Sequence, residues 1–230
     1  MFDVEITYDA REVGSKKVAA LDMVGTLLSK GDMPATNYVI NTAMGIDPEV
    51  ENSTYCAHKS DAGGLEDSMS HASEISTYLD SVEREDNLTD LEAYTKVIQE
   101  LIEDREILDG AEEFVESLES QGYETVVVSS APKAFTVPYA EDLGISKVYS
   151  WKDYLFQGQE FEGRYVDPGA GKGKQEFIRA LQNQGSDVMF IGDGGNDNLA
   201  ASQADVSVMQ DSWEVNPEQN FQTATRNVEL

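Results

Sequence analysis

The chain has 230 residues, of which 40% are hydrophobic, so it can bury the core of one sizeable domain. Forty-four acidic residues against 16 basic ones give a formal net charge of -28, which disfavours nucleic acid and anionic membranes as partners. Because such self-repulsion is tolerated when salt shortens the Debye length to roughly 3 Å at 1 M, we expect a halophilic, cytoplasmic protein.

The first apolar run, residues 17–21, predicts a buried strand, and the segment after it has a different character. Residues 31–106 contain no convincing strand. Within them, residues 65–80 show a weak helical pattern and residues 88–105 a stronger one. The apolar positions of the stronger pattern are Leu88, Leu91, Tyr94, Ile98 and Leu101. We therefore expect a helical insert after the first strand.

Helices and strands alternate through the rest of the chain. Residues 109–122 and 172–185 each show one apolar helical face and end in a glycine suited to a C-terminal cap. Residues 125–128, 187–191 and 205–209 are short continuous apolar runs, as buried parallel strands require. This order predicts an α/β fold with a doubly wound, Rossmann-like parallel sheet. The polar last 18 residues predict either a docked tail or a frayed end.

Polar side chains follow these strands, at the edge of a parallel sheet where ligands gather. They are Asp22 after the first strand, Ser129 and Ser130 after the second, Asp193 and Asp197 after residues 187–191, and Lys172 and Lys174 at the start of a helix. Carboxylates can bind Mg²⁺, and an aspartate can attack phosphorus. Serine and lysine can hold phosphoryl oxygens. The inventory indicates phosphoryl transfer.

Four motifs now bear comparison with a known family. They are DMVGTL, VVVSSAP, GKGKQEF and IGDGGNDNLAASQAD, in this order. Together they are similar to the motifs of the haloacid dehalogenase-like superfamily. SSAPKAFTVPYAEDLGI, GDGGND and the position of the insert resemble its phosphoserine-phosphatase-like branch. The resemblance implies an α/β core formed by residues 1–30 and 107–230, with residues 31–106 as a helical cap domain.

The resemblance also implies a role for each matching residue in a Mg²⁺-dependent phosphatase. Asp22 is the expected nucleophile, and Lys174 the expected phosphate-stabilising lysine. The expected Mg²⁺ ligands are Asp22, the backbone carbonyl of Val24, Asp193 and Asp197. The expected substrate-binding residues are Ser129, Ser130, Gly25, Thr26 and Asn196. Lys174 is preferred to Lys172 because apolar residues then follow it three, four and seven positions later, but Lys172 stays an alternative.

Val24 is the departure from the family pattern. Phosphatases of the superfamily usually carry a second aspartate two residues after the nucleophile, which protonates the leaving group. Val24 has no proton to give, and the loss of general acid-base catalysis costs roughly 10²- to 10⁴-fold in rate. We therefore expect slow hydrolysis of a small phosphorylated metabolite, with no prediction of oligomeric state.

Four alternatives follow from Val24. The first is a catalytically impaired protein that binds phosphate or metal, or regulates a partner. The second is a C–P hydrolase like phosphonoacetaldehyde hydrolase, whose Schiff-base lysine comes from the cap, where Lys59 and Lys96 lie. The third is a haloacid dehalogenase, but these enzymes need no Mg²⁺, so the possible metal ligands Asp193 and Asp197 argue against it. The fourth is a P-type ATPase, which keeps a long-lived aspartyl phosphate but needs membrane helices that this sequence lacks.

Overall fold

The computed structural model describes residues 17–32, 36–44, 88–150, 152–166, 172–210, 213–214 and 216–228. The strands are β1 (Lys17–Leu21), β2 (Glu124–Ser129), β3 (Val148–Ser150), β4 (Lys152–Gln157), β5 (Glu160–Val166), β6 (Asp187–Gly192) and β7 (Val206–Met209). The helices are α1 (Thr36–Ala43), α2 (Asp90–Asp104), α3 (Ala111–Ser120), α4 (Lys133–Asp142), α5 (Lys172–Asn183), α6 (Asn198–Gln203) and α7 (Pro217–Val228).

Five parallel strands form the central sheet, in the order β3-β2-β1-β6-β7. β1 lies in the middle, where Leu21 pairs with Val127 of β2 and with Ile191 of β6. Helices α5 and α6 bury one face of the sheet, and α3 and α4 bury the other. Because both faces are covered, β1, β2 and β6 carry continuous apolar sequence. The prediction of a doubly wound α/β fold is confirmed.

The sequence predicts β7 as a buried strand, but in the structure it is exposed in part. It lies at the edge of the sheet and pairs only with β6 among the described strands. Val206 is 50% exposed, and Ser207 is exposed as well. Its apolar sequence predicted its secondary structure correctly but not its burial, because an edge strand has a hydrogen-bonded neighbour on one side only.

The insert is described in part, by α1 and α2, which pack against each other. Helix α2 begins with a capping box in which Thr89 and Glu92 bond to each other's backbone N–H groups. It buries Tyr94, Ile98 and Leu101, as its periodicity predicted, together with Val97. The weaker helical pattern at residues 65–80, and Lys59, lie outside the described residues. The domain limits stay a prediction.

Two short linkers, running side by side, join the insert to the core. The N–H of Ser29 donates to the carbonyl of Glu106 at 2.8 Å, and the N–H of Leu108 donates to the carbonyl of Leu27 at 2.9 Å. The buried hydroxyl of Tyr139 on α4 then donates to two carbonyls at the C-terminal end of α2, those of Ile102 at 2.7 Å and Arg105 at 3.0 Å. The core therefore holds α2 at its end as well as through the linkers.

A β-hairpin that the sequence did not predict packs on the insert. It consists of β4 and β5, which pair antiparallel. The ring of Tyr94 on α2 lies 5.3 Å from the ring of Tyr154 and 5.2 Å from that of Phe156. At the tip, the N–H of Leu91 donates to the carbonyl of Gln159 at 3.2 Å. The hairpin and α2 therefore share one packed aromatic cluster.

The last 18 residues contain the helix α7, so the docked tail is the correct alternative. Phe221 on α7 stacks on Trp213 with 4.8 Å between ring centroids, and lies 5.1 Å from the ring of Phe114 on α3. The indole N–H of Trp213 donates to the carbonyl of Gly192 at 3.1 Å. Trp213 therefore anchors the tail behind the end of β6. Within the described part of the chain, every helix is too short or too polar to cross a bilayer.

Candidate active site

Three carboxylates converge beyond the ends of two neighbouring strands. Asp22 directly follows β1, Asp193 directly follows β6, and Asp197 ends the 3₁₀ turn that comes next. An oxygen of each lies within 4.8 Å of an oxygen of the others. The exposed fractions of these residues are 5%, 8% and 0%. The parallel pairing brings the strand ends together, and the N–H of Asp22 donates to the carbonyl of Ile191 at 2.9 Å.

Two glycines make this convergence sterically possible. Gly25 has a φ of 88°, and a Cβ placed there would lie 2.5 Å from Oδ2 of Asp193. A Cβ on Gly192 would lie 2.5 Å from Oδ2 of Asp197. Both distances are shorter than real carbon contacts, and Gly25 also needs a left-handed backbone. The glycines of these two motifs therefore allow the carboxylates to approach the backbone.

Lys174 lies at the centre of the acidic cluster. Its ammonium bonds to the carboxylate of Asp22 and lies 2.5 Å from Oδ1 of Asp197. The side chain is completely buried in the first turn of α5. Burial alone lowers the pKa of Lys174, but the negative charges of Asp197 and Asp22 outweigh it and raise that pKa. Lys172 is exposed, so the geometry favours Lys174 as the lysine of the site.

The remaining oxygens of Asp22 and Asp197 are also hydrogen bonded. The hydroxyl of Thr26 donates to Oδ2 of Asp22 at 3.2 Å. The N–H groups of Asp193 and Gly194 donate to Oδ2 of Asp197 at 3.1 and 3.4 Å. Asp197 is therefore fixed from two sides and Asp22 is oriented by a side chain of its own loop.

The charge of Asp22 is unfavourable in the protein without a bound cation. Burial raises its pKa to about 7, and the charge of Asp197 acts in the same direction, whereas Lys174 opposes them. Burial also raises the pKa of Asp193, against the effect of its contact with Lys30. Two adjacent carboxylates with raised pKa values indicate a site that gains from an added positive charge.

Lys30 is a second lysine at this site, and the sequence did not indicate it. It lies in the first linker to the insert, and its ammonium is 2.8 Å from Oδ2 of Asp193. Burial alone lowers the pKa of Lys30, but its bond to Asp193 raises it. More than half of the side chain is exposed. No periodicity or motif marks this residue, because only the folded linker brings it to Asp193.

The predicted substrate-binding residues surround the cluster at the same sheet edge. Ser129 ends β2, is buried, and accepts a bond from the N–H of Ala131 at 3.1 Å. Ser130 follows it and is partly exposed, as is Asn196 in the 3₁₀ turn. A hydroxyl that accepts through a lone pair can still donate its hydrogen, so Ser129 has a donor to offer an anion.

Val24 lies beside the cluster and is partly buried against the apolar core. It pairs with Leu28 across the loop that follows Asp22. Its side chain has neither a donor nor an acceptor. Of the two lysines considered for a Schiff base, Lys96 is 49% exposed on α2, with its amine 4.0 Å from Glu100. The surroundings of Lys96 therefore do not favour a covalent role in the site.

Comparison with known proteins finds one family and several related folds. The family model for haloacid dehalogenase-like hydrolases matches residues 16–205. A phosphoserine phosphatase from Archaeoglobus fulgidus is 27% identical over 124 residues, which make up 52% of this chain and 36% of that protein. The matched stretch therefore spans little more than a third of that relative's length.

Solved structures support the fold. A structure described as a phospho-aspartyl intermediate analogue of phosphoserine phosphatase has a TM-score of 0.56 and 21% identity, over 85% of this chain and 86% of the other. A phosphoserine phosphohydrolase-like protein from Francisella tularensis has a TM-score of 0.52 and 18% identity, over 83% and 84% of the two chains. At these identities the likeness concerns the fold.

Proposed function

The chain belongs to the haloacid dehalogenase-like hydrolases, and from that membership we propose that it is a Mg²⁺-dependent phosphatase of small phosphate monoesters. In this proposal Asp22 attacks the phosphorus atom and becomes an aspartyl phosphate, which water then hydrolyses. The related phosphoserine phosphatase from Archaeoglobus fulgidus supports a phosphate monoester as the substrate.

One observation carries the proposal above the others. The buried oxygens of Asp22, Asp193 and Asp197 lie within 4.8 Å of one another, and Lys174 is fixed between two of them. A purely structural cluster of three buried acids would be costly, because like charges in a low dielectric repel. An arrangement of this kind is typical of a site that manages the charge of a phosphoryl group.

The donor set fits Mg²⁺. Carboxylate oxygens are hard ligands, and the raised pKa of Asp22 supports a site that an added cation would stabilise. Asp22, Asp193 and Asp197 would hold it, together with the backbone carbonyl of Val24. When bound, Mg²⁺ neutralises the carboxylates and the charge on the transferring phosphoryl group.

The protein's own groups divide the remaining work. Thr26 orients Asp22 by bonding Oδ2, which leaves the other oxygen to Lys174 and to the attack. Lys174 keeps its positive charge and faces the phosphoryl oxygens on the side of Asp22. The hydroxyl of Ser129 can donate to a phosphoryl oxygen. We also assign phosphate contacts to Ser130, Asn196 and the backbone of Gly25.

A second candidate function is phosphate or metal binding without turnover. Val24 favours it, because this side chain offers no proton to a leaving group where phosphatases usually place an aspartate. The same cluster could then bind an anion with Mg²⁺ and signal through the insert. We prefer the phosphatase because Asp22, Lys174 and Ser129 retain all the groups needed to form the aspartyl phosphate.

The setting is also part of the proposal. A net charge of -28 suits a salt-rich cytoplasm, in which exposed carboxylates stay hydrated and mutually screened. The same screening weakens the repulsion between this acidic protein and an anionic substrate. Assays therefore belong in molar KCl, and low salt is expected to weaken both the fold and the activity.

The test is hydrolysis of phosphate monoesters by the full chain in molar KCl with Mg²⁺. Wild type is expected to release phosphate slowly, EDTA to stop it, and Asp22→Asn to abolish it without unfolding the protein. Asp187→Asn, at an exposed position at the start of β6, is the matched control for the lost charge. Turnover that survives in Asp22→Asn would overturn the nucleophile. Phosphate and Mg²⁺ binding with no turnover would establish the second candidate.

A further inference from the structure

The two lysines of the site contact different carboxylates, and they differ in exposure. Lys174 is completely buried between Asp22 and Asp197. Lys30 is 55% exposed, and the one ion pair of its ammonium within the described residues is with Asp193. Because the lysine end of this pair is more than half exposed, water can replace the contact and the ammonium can change partner.

The backbone of Lys30 is fixed even though its ammonium is not. Its N–H donates to the carboxylate of Glu214, next to the buried Trp213. The neighbouring Ser29 bonds to Glu106 through both its N–H and its hydroxyl. Because its backbone is held and only the end of its side chain can move, Lys30 keeps its ammonium close to the carboxylates whichever group it contacts.

The side chain of Lys30 runs along the loop that carries Val24. A Cβ on Gly25 would lie 2.6 Å from Cε of Lys30, so the lysine chain passes over the backbone one residue after Val24. The ammonium ends 2.8 Å from Oδ2 of Asp193, so it lies at the carboxylate cluster and close to the loop that carries Val24. An acid at position 24 would belong to this same loop.

We propose that Lys30 is a catalytic residue, which leaves Asp193 when a divalent cation binds there and then stabilises the leaving-group oxygen that Val24 cannot protonate. This inference rests on the proposed phosphatase function. As the bond from phosphorus to the leaving oxygen breaks, its electron pair stays on that oxygen, while an oxygen of Asp22 forms the new bond to phosphorus. The ammonium donates a hydrogen bond to the oxygen, and the proton that completes the alcohol comes from water.

The effect must depend on the leaving group, because a more basic leaving oxygen carries more charge in the transition state. Phenyl phosphate and 4-nitrophenyl phosphate differ in this respect and little in size. The ratio kcat/KM covers the steps up to leaving-group departure, so slow hydrolysis of the aspartyl phosphate does not mask it.

The experiment compares Lys30→Met and Lys30→Arg with wild type, and with Lys96→Met as the control for removal of an exposed lysine charge. Lys30→Met is expected to lower kcat/KM for phenyl phosphate roughly 10- to 100-fold and that for 4-nitrophenyl phosphate less than about threefold. Lys30→Arg is expected to recover most of the loss. Equal losses on both substrates, or none on phenyl phosphate, would overturn the proposal.

A second readout is Mg²⁺ binding by calorimetry, which needs no turnover. Because Lys30 competes for Oδ2 of Asp193, Lys30→Met is expected to bind Mg²⁺ roughly two- to fivefold more tightly than Lys96→Met. Unchanged or weaker binding would contradict the exchange of partners. Failure of the phosphatase proposal gives a different result. Wild type would then release no phosphate, or Asp22→Asn would release it as fast as wild type.

Discussion

The ammonium of Lys174 and the carboxylate of Asp197 form an ion pair from which solvent is entirely excluded, with 2.5 Å between Nζ and Oδ1. The same ammonium also bonds to the buried Asp22. One cation therefore compensates two buried carboxylates. Removing it leaves both carboxylates without an ion pair to any other residue that the structure describes.

Lys174→Met is expected to destabilise the metal-free protein by roughly 3–5 kcal/mol, because it leaves buried carboxylates unpaired. Urea unfolding in molar KCl with EDTA measures the change in free energy. The matched control is Lys172→Met, an exposed lysine two residues earlier in the same helix, for which we expect less than about 0.5 kcal/mol. Similar losses in both variants would show that Lys174 has no special part in the cluster.

Ionisation of Asp22 is expected to make the metal-free protein less stable as the pH rises from about 4 to about 7. The pKa of Asp22 is raised to about 7 in the fold, so the folded state holds its proton over a range where the unfolded chain has released it. Stability from this group is therefore greatest at low pH and declines towards pH 7.

Asp22→Asn isolates this contribution from the titration of the other acids. Its free energy of unfolding relative to wild type is expected to rise between pH 4.5 and pH 7.5 by roughly 2–4 kcal/mol, measured with urea in EDTA. The exposed Asp187→Asn is the control, for which we expect a profile parallel to wild type. A flat difference between Asp22→Asn and wild type would contradict the raised pKa.

Val24→Asp is expected to accelerate hydrolysis of alkyl and phenyl phosphates by roughly 10²- to 10⁴-fold, because it supplies the missing proton donor. The measured quantity is kcat/KM in the presence of Mg²⁺. Val24→Asn has a similar size but no proton to transfer, and should remain close to wild type. If the two variants are equally fast, the gain comes from polarity and not from acid catalysis.

Tyr139→Phe is expected to destabilise the protein by roughly 1–3 kcal/mol, because two carbonyls at the end of α2 lose a buried donor. Burial of this hydroxyl raises the pKa of Tyr139 to about 12. Urea unfolding measures the loss. Tyr123→Phe, a partly exposed tyrosine just before β2, is the control and should cost less than about 0.5 kcal/mol.

The sequence predicted those parts whose stability depends on local pattern. Buried parallel strands require continuous apolar runs, so β1, β2 and β6 were recognisable, and Asp22 and Asp193 followed from where these strands end. Helix α2 was likewise predictable, because its apolar residues recur along a single face of one helix. In these elements a residue's role is determined by its near neighbours in the chain.

The rest depends on contacts between distant segments. The hairpin of β4 and β5 owes its place to aromatic packing on Tyr94, more than fifty residues earlier in the chain. Helix α7 is polar along most of its length and is held through Phe221. Lys30 reaches Asp193 because the linkers turn it back over Gly25. These contacts join different segments of the chain, so no local pattern identifies the partner.

The paired linkers fix both ends of the insert at one place on the core. Since Ser29 and Glu106 lie one hydrogen bond apart, the chain leaves the core and returns to it at neighbouring points. A change in the length of the segment between these points therefore need not move the places at which the chain meets the sheet. Under the proposed function, this segment would set the substrate choice while the carboxylates at the edge of the sheet stay in place.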